Sequence, residues 1–244
     1  MSTYGTFGNL NLNYEHGRKE FPEEVISFIL NTAKFKKDSS VLDLACGTGI
    51  ATKQLFLRGV NVVGSDIDPM MIELAVQKND PVDYFVAPAL KQPFVDNSFD
   101  FITCFSAFHW FANEETLREI KRLLKDKGFF FVINKNENSD FKKNYRNIIK
   151  NFIDTPLPDI KEKYNPLSVF SNSFQETGEG RFLTTELFTL EQILQYVQSI
   201  SLWNLIPETK KGAVLRELEI YFKNTLNKDG FVERPIEVVV VFGY

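Results

Sequence analysis

Over the first 135 residues, apolar positions recur in blocks whose period switches between helix and strand. Residues 22–33 place Val25, Ile26, Ile29 and Ala33 on one face at helical spacing, which predicts a first helix. A short apolar run through Val41, Leu42 and Leu44 then meets a turn containing Gly47 and Gly49, the pattern of a buried strand that feeds a helix. Residues 60–65 predict a second strand, 82–86 a third and 99–105 a fourth, and Gly128 opens a fifth. Asp68 caps a helix whose first position is Pro69, and Asn113 caps another with Leu117, Ile120 and Leu124 aligned. Strands alternating with helices predict an α/β fold with a mainly parallel sheet covered on both faces.

Beyond residue 135 the pattern loosens. Helices are expected over 141–153, over 190–201 with Leu190, Ile193, Leu194 and Val197 aligned, and over 209–226. Residues 236–242 form the last strand, and the Pro-, Asn- and Ser-rich stretch 155–173 reads as a loop or lid. The expected organisation is one domain over 1–244: a core at 36–135, helical cap or insertions at 141–174 and 190–228, and a final strand at 236–243.

Composition narrows the function classes only slightly. A chain of 244 residues, 43% hydrophobic and 25% charged, can bury a full core. A net charge of −4 argues against a nucleic-acid acceptor, because phosphate contacts need a basic surface. No apolar run reaches the length of a membrane span, and the amino terminus lacks a signal-peptide pattern. Cys46 and Cys104, both beside predicted strand ends, fit reduced thiols in a cytoplasmic setting. With His16 and His109 as the two histidines, the spacing offers no metal site, and no nucleophile elbow or phosphate loop is present.

The candidate chemistry sits around the glycine turn. Asp43 lies inside the first strand, where a carboxylate is expensive unless something cationic or donor-rich is near. S-adenosylmethionine brings an ammonium and a sulfonium, whereas a dinucleotide would bring a pyrophosphate that Asp43 repels. Asp66, about twenty residues beyond the turn at the end of the second strand, suits a ribose diol in either kind of nucleotide site, or simply ends a strand. The run Gly47-Thr48-Gly49-Ile50-Ala51-Thr52 lacks the third glycine of the dinucleotide fingerprint.

Three phrases together, Asp43-Leu-Ala-Cys-Gly-Thr-Gly49, Val63-Gly-Ser-Asp66-Ile-Asp-Pro-Met70 and Phe94-Val-Asp-Asn-Ser-Phe-Asp100, resemble the class I S-adenosylmethionine-dependent methyltransferases. Tyr14 through Pro22, Ala107-Phe-His-Trp-Phe111 and Gly128 through Asn134 are similar to the small-molecule branch typified by trans-aconitate methyltransferases. The likeness covers residues 10–135 well and the remainder loosely. It implies a Rossmann-like, doubly wound, seven-stranded sheet with an antiparallel last strand and a helical cap.

For the donor, the resemblance implies contacts from Tyr14, Arg18, Asp43, Ala45, Cys46, Gly47, Gly49, Asp66, Ile67, Met71, Ala89, Leu90 and Phe105. Ala87-Pro88-Ala89 departs from the commoner pattern with an aspartate, so adenine is expected to be read through backbone at Ala89 or Leu90. Arg18 either holds a carboxylate or is a surface arginine. His109, Trp110 and Trp203 are the acceptor-side candidates. His109 is either a general base for a hydroxyl or phenol or a wall residue, since transfer to a carboxylate needs no base. The expected partner is a small-molecule acceptor, with no nucleic acid and no membrane, and the expected assembly is a monomer or weak homodimer. Two other readings stand beside this one: an NAD-dependent oxidoreductase and a non-catalytic member of the fold.

Overall fold

A computed structural model describes residues 17–154 and 165–244 of the chain. The order of elements is α1 (Glu23–Thr32), β1 (Ser40–Leu44), α2 (Ile50–Leu57), β2 (Asn61–Asp66), α3 (Pro69–Gln77), β3 (Tyr84–Val86), β4 (Phe99–Phe105), α4 (Glu114–Leu123) and β5 (Leu124–Glu137). Then follow α5 (Ser139–Lys150), α6 (Pro166–Ser171), β6 (Thr177–Phe188), α7 (Leu190–Gln198), α8 (Glu208–Lys223) and β7 (Val232–Gly243). The seven strands form one sheet in the order β3-β2-β1-β4-β5-β7-β6. β1 pairs in parallel with β2 and β4, and β2–β3 and β4–β5 are parallel as well, while the last strands run antiparallel.

Local chemistry explains the elements. Asp68 accepts a hydrogen bond from Met70 N ahead of Pro69, and Asn113 accepts one from Thr116 N. α4 carries Glu114 and Glu115 in its first turn and Lys121 and Arg122 in its last, which suits the helix dipole. Residues 41–44 of β1 are all buried, as a central strand covered on both faces requires.

Contacts divide the described residues into two compact units. The core unit holds residues 20–135, 165–182 and 238–244, and the second unit holds 17–19, 136–154 and 183–237. Leu42, Ile102, Phe108, Ile120, Phe130 and Phe170 centre the packing of the core unit. Tyr145, Phe188, Val197, Trp203, Leu218 and Phe222 centre that of the second.

Several boundaries differ from the sequence reading. β3 begins at Tyr84 rather than Val82, because Val82 N closes a turn on Asp80 O. β5 begins at Leu124, four residues before Gly128, with a register irregularity opposite Phe99 and Phe101. The helix expected to reach residue 201 ends at Gln198, and a 3₁₀ turn follows over Ser201–Leu205. Within the expected loop 155–173, residues 166–171 form α6, capped by Asn165; residues 155–164 lie outside the described residues.

The largest correction is β6, a twelve-residue strand where no element was expected. Its alternation follows polarity at Phe182, Phe188, Glu179 and Arg181 but breaks it elsewhere on both faces. The inward positions include Gly178, Gly180 and Glu186, while Leu183 points outward at 85% exposure. Both glycines are filled by aromatic rings. A Cβ on Gly180 would lie 2.8 Å from the tip of the Phe28 ring, and Phe242 occupies the corresponding space over Gly178.

Candidate functional site

The carboxyl ends of β1, β2 and β4 carry the sequence-predicted site of the core unit. Leaving β1, the chain turns through Ala45 (φ 57°), Gly47 (φ 56°) and Gly49 (φ 76°), three left-handed residues in five. Ala45 is strained there, since a Cβ in this region costs roughly 1–3 kcal/mol, and Ser106 (φ 57°) repeats the feature just past β4. Strain at the mouths of two neighbouring strands is held by hydrogen bonds around the turn.

Those bonds come from β2 and α3. Cys46 N donates to Ser65 O at 2.9 Å, and Gly47 N donates to Asp66 Oδ2 at 2.9 Å. The other oxygen of Asp66 accepts from Asp68 N at 2.9 Å. Lys78, at the end of α3, donates to Thr48 O at 2.7 Å. Burial pushes the Asp66 carboxyl above its usual range, partly offset by the Asp68 and Gly47 amides. The Thr48 hydroxyl is buried in the turn and makes no hydrogen bond among the described residues.

Asp43 has partners that its position in the sequence did not announce. It is fully buried, with Oδ2 accepting from the Thr52 hydroxyl at 2.6 Å and Oδ1 from the Thr103 hydroxyl at 2.9 Å. Thr103 is its register partner on β4, and Thr52 is on the helix that follows the turn. The donor-rich surroundings that a carboxylate needs there are thus supplied by two threonines of the chain itself. Burial nevertheless raises its pKa to about 7, with the threonine bonds opposing the rise.

The remaining donor-side candidates divide by exposure. Ile67 and Leu90 are exposed at 69% and 54%, and the N–H groups of Ala89 and Leu90 make no hydrogen bond among the described residues. Met71 is buried at 3%, and its neighbour Met70 is the open methionine of α3. Phe105 packs against Phe21 with ring centroids 4.7 Å apart. Phe21 is clamped by Gln54, which accepts from its N–H and donates to its carbonyl, both at 2.8 Å. Burial pushes the Cys46 thiol up, so it stays protonated near neutral pH.

On the acceptor side, His109 lies in a 3₁₀ turn just past β4, 4.8 Å from the Trp110 ring. Desolvation holds its imidazole below the usual value, which leaves it neutral at pH 7. Arg18 belongs to the second unit, where its guanidinium donates to Ser199 O at 3.3 Å and lies over the Tyr196 ring. Trp203, at 4% exposure, is part of the second unit's core. Tyr14 lies outside the described residues. Among the described residues no group of His, Cys, Asp and Glu could hold a metal ion, and no helix is long and apolar enough to cross a membrane.

The second unit also buries a charged cluster that sequence reasoning missed. Arg234 donates to Glu137 at 3.0 Å, to Glu186, and to the Tyr196 hydroxyl at 2.8 Å. Tyr196 and Tyr145 donate in turn to Glu137 at 2.8 and 2.9 Å. Burial pushes the Glu137 carboxyl up, and Arg234 with the two tyrosines outweighs it, holding it below the usual range.

Known proteins share this architecture. A family model described as "Methyltransferase domain" matches residues 42–132. An uncharacterized methyltransferase of Schizosaccharomyces pombe is 27% identical over 235 residues, covering 89% of this chain and 87% of that protein. An uncharacterized methyltransferase of Mycobacterium tuberculosis is 32% identical over 123 residues, about half of each chain. The fold is shared with a solved structure from Anaeromyxobacter dehalogenans, 18% identical, with a TM-score of 0.69 over 93% of this chain and 97% of that one. On these matches, residues 42–132, which contain the glycine turn, form a methyltransferase domain, and the chain has a Rossmann-like methyltransferase fold.

Proposed function

We propose that the protein transfers a methyl group from S-adenosylmethionine to a small-molecule acceptor, with a carboxylate oxygen as the receiving atom. The observation that carries the donor half is Asp66, whose two oxygens each accept one backbone N–H and keep further lone pairs for a ribose diol. The turn it holds presents the buried Thr48 hydroxyl, a fitting partner for the charged amino acid end of the donor. Ile67 and the backbone of Ala89 and Leu90 suit an adenine edge. When bound, the donor supplies an already activated methyl group. The protein's task is then to align it with a nucleophile and keep water out, which contributes about 7–11 kcal/mol in favourable cases.

A small acceptor fits the net charge of −4 better than a nucleic acid does. A carboxylate is ionised at pH 7 and needs no base, which agrees with a site whose single described histidine lies against an indole ring.

Calorimetric titration with S-adenosylmethionine and with NAD tests the donor. Binding of the first and not the second is expected, and the reverse would overturn the assignment. A screen of small carboxylates, phenols, amines and RNA for consumption of labelled donor tests the acceptor; turnover confined to RNA or to amines would reject it.

A further inference from the structure

Beneath the glycine turn lies a side chain that the donor reading does not use. Tyr84 on β3 is the register partner of Gly64 on β2. A Cβ on Gly64 would come within 2.6 Å of Tyr84 Cδ1, 2.7 Å of Cε1 and 2.9 Å of Cys46 Sγ. At the far end of the same ring, a Cβ on Gly49 would meet the Tyr84 hydroxyl at 2.5 Å and Cζ at 3.0 Å. The ring therefore crosses one glycine and ends against another, and the second belongs to the turn. Its hydroxyl is buried and meets no partner at hydrogen-bond geometry among the described residues, the Thr52 side chain acting on it only weakly, so its contact with Gly49 is one of packing.

We infer that Tyr84 is a positioning residue for the methyl donor, a strut whose hydroxyl sets how closely the Cys46–Gly49 turn can approach β2. The inference rests on the donor reading given above. The turn's other supports, from Ser65, Asp66 and Lys78, are hydrogen bonds that fix direction. Those bonds tolerate small changes in spacing, whereas close packing does not. A strut under Gly49 keeps the left-handed turn in place before the ligand arrives, and preorganisation of this kind raises affinity by reducing the ordering left for binding. Gly64 has its own reason in this picture: it makes room for the ring.

The poorly bonded hydroxyl makes the inference testable, because it separates affinity from stability. Tyr84→Phe shortens the strut by one atom and removes a buried hydroxyl that only Thr52 engages, and weakly. Its melting temperature should stay level or rise, while its Kd for S-adenosylmethionine should increase by about three- to tenfold. Tyr84→Leu should weaken binding further. Gly64→Ala should weaken it by roughly tenfold or more in the wild type and by clearly less in the Tyr84→Leu background, where only the contact with Cys46 Sγ remains, the non-additivity of residues in contact.

Wild-type protein is titrated first. If it does not bind S-adenosylmethionine, the donor reading falls and the strut's function falls with it. If it binds and both Tyr84 variants match it, Tyr84 alone is rejected. A Tyr84→Phe protein that loses affinity only in proportion to lost melting temperature also rejects it, since that is what a purely structural residue would show. Should Tyr84→Leu fail to fold, the opposed movements in Tyr84→Phe still decide the case.

Discussion

The Gly47 N–H donates to Asp66 Oδ2 at 2.9 Å, which ties the glycine turn after β1 to the carboxylate at the end of β2. One side chain thus holds the backbone of the turn, and on the proposed reading its remaining lone pairs accept from the donor's ribose. Asp66→Ala is expected to weaken S-adenosylmethionine binding by at least about 1.5–3 kcal/mol, through lost charge-assisted hydrogen bonds. The slackened turn adds to that loss. Asp66→Asn should fall between, because its amide oxygen can satisfy only one of the two N–H donors. Calorimetry on folded protein measures both, and an unchanged Kd in Asp66→Ala would remove the residue from the site.

Asp43 predicts a pH dependence of stability. Its folded pKa of about 7 lies above the ordinary 3.8, so the folded protein binds this proton more tightly than the unfolded chain does. Protonated Asp43 is buried without penalty at low pH, and stability from that proton is lost as pH rises through 7. The rise corresponds to roughly 4 kcal/mol between pH 4 and pH 8. Asp43→Asn keeps the shape and removes the charge. The melting temperature of the variant relative to wild type should therefore climb from pH 5 to pH 8 and then level off. A difference that stays flat with pH would mean that Asp43 does not titrate in this range.

The buried cluster of the second unit predicts the opposite economy. Arg234 compensates Glu137 and Glu186 together, so Arg234→Met leaves two buried carboxylates without their guanidinium. A loss of about 3–5 kcal/mol is expected on breaking such a group by removing one partner. Replacing Arg234, Glu137 and Glu186 together with apolar residues of similar volume should recover most of it. Urea denaturation of the single and triple variants makes the comparison, and a harmless Arg234→Met would show the cluster to be solvated.

The parallel half of the fold was legible because each strand and helix there carries its own period and its own caps. β4 and the starts of the helices capped by Asp68 and Asn113 stand where the sequence puts them. β6 was not legible, because glycines and Glu186 interrupt its inward face and Leu183 and Leu187 its outward one, which blurs the alternation. Gly178 and Gly180 face inward beneath rings contributed by Phe242 and Phe28, residues distant in sequence. Asp43 was visible as an anomaly, but Thr103 becomes its partner only through the β1–β4 register. Arg234 and Glu137, almost a hundred positions apart, gave no local signal at all.

The acceptor turns on His109. Desolvation keeps the His109 imidazole neutral at pH 7, so it is already in the form that a general base requires. If the acceptor is a carboxylate, the base is idle: His109→Gln should cost little beyond its packing on Trp110. If the acceptor is a hydroxyl or phenol, His109→Gln should lower kcat by roughly 10²-fold or more, and the acid limb of the pH profile should vanish with it. That limb would lie below the ordinary histidine range, following the lowered pKa. We expect the carboxylate outcome. A large kcat defect in His109→Gln, with the acid limb lost, would reverse it and make His109 the base.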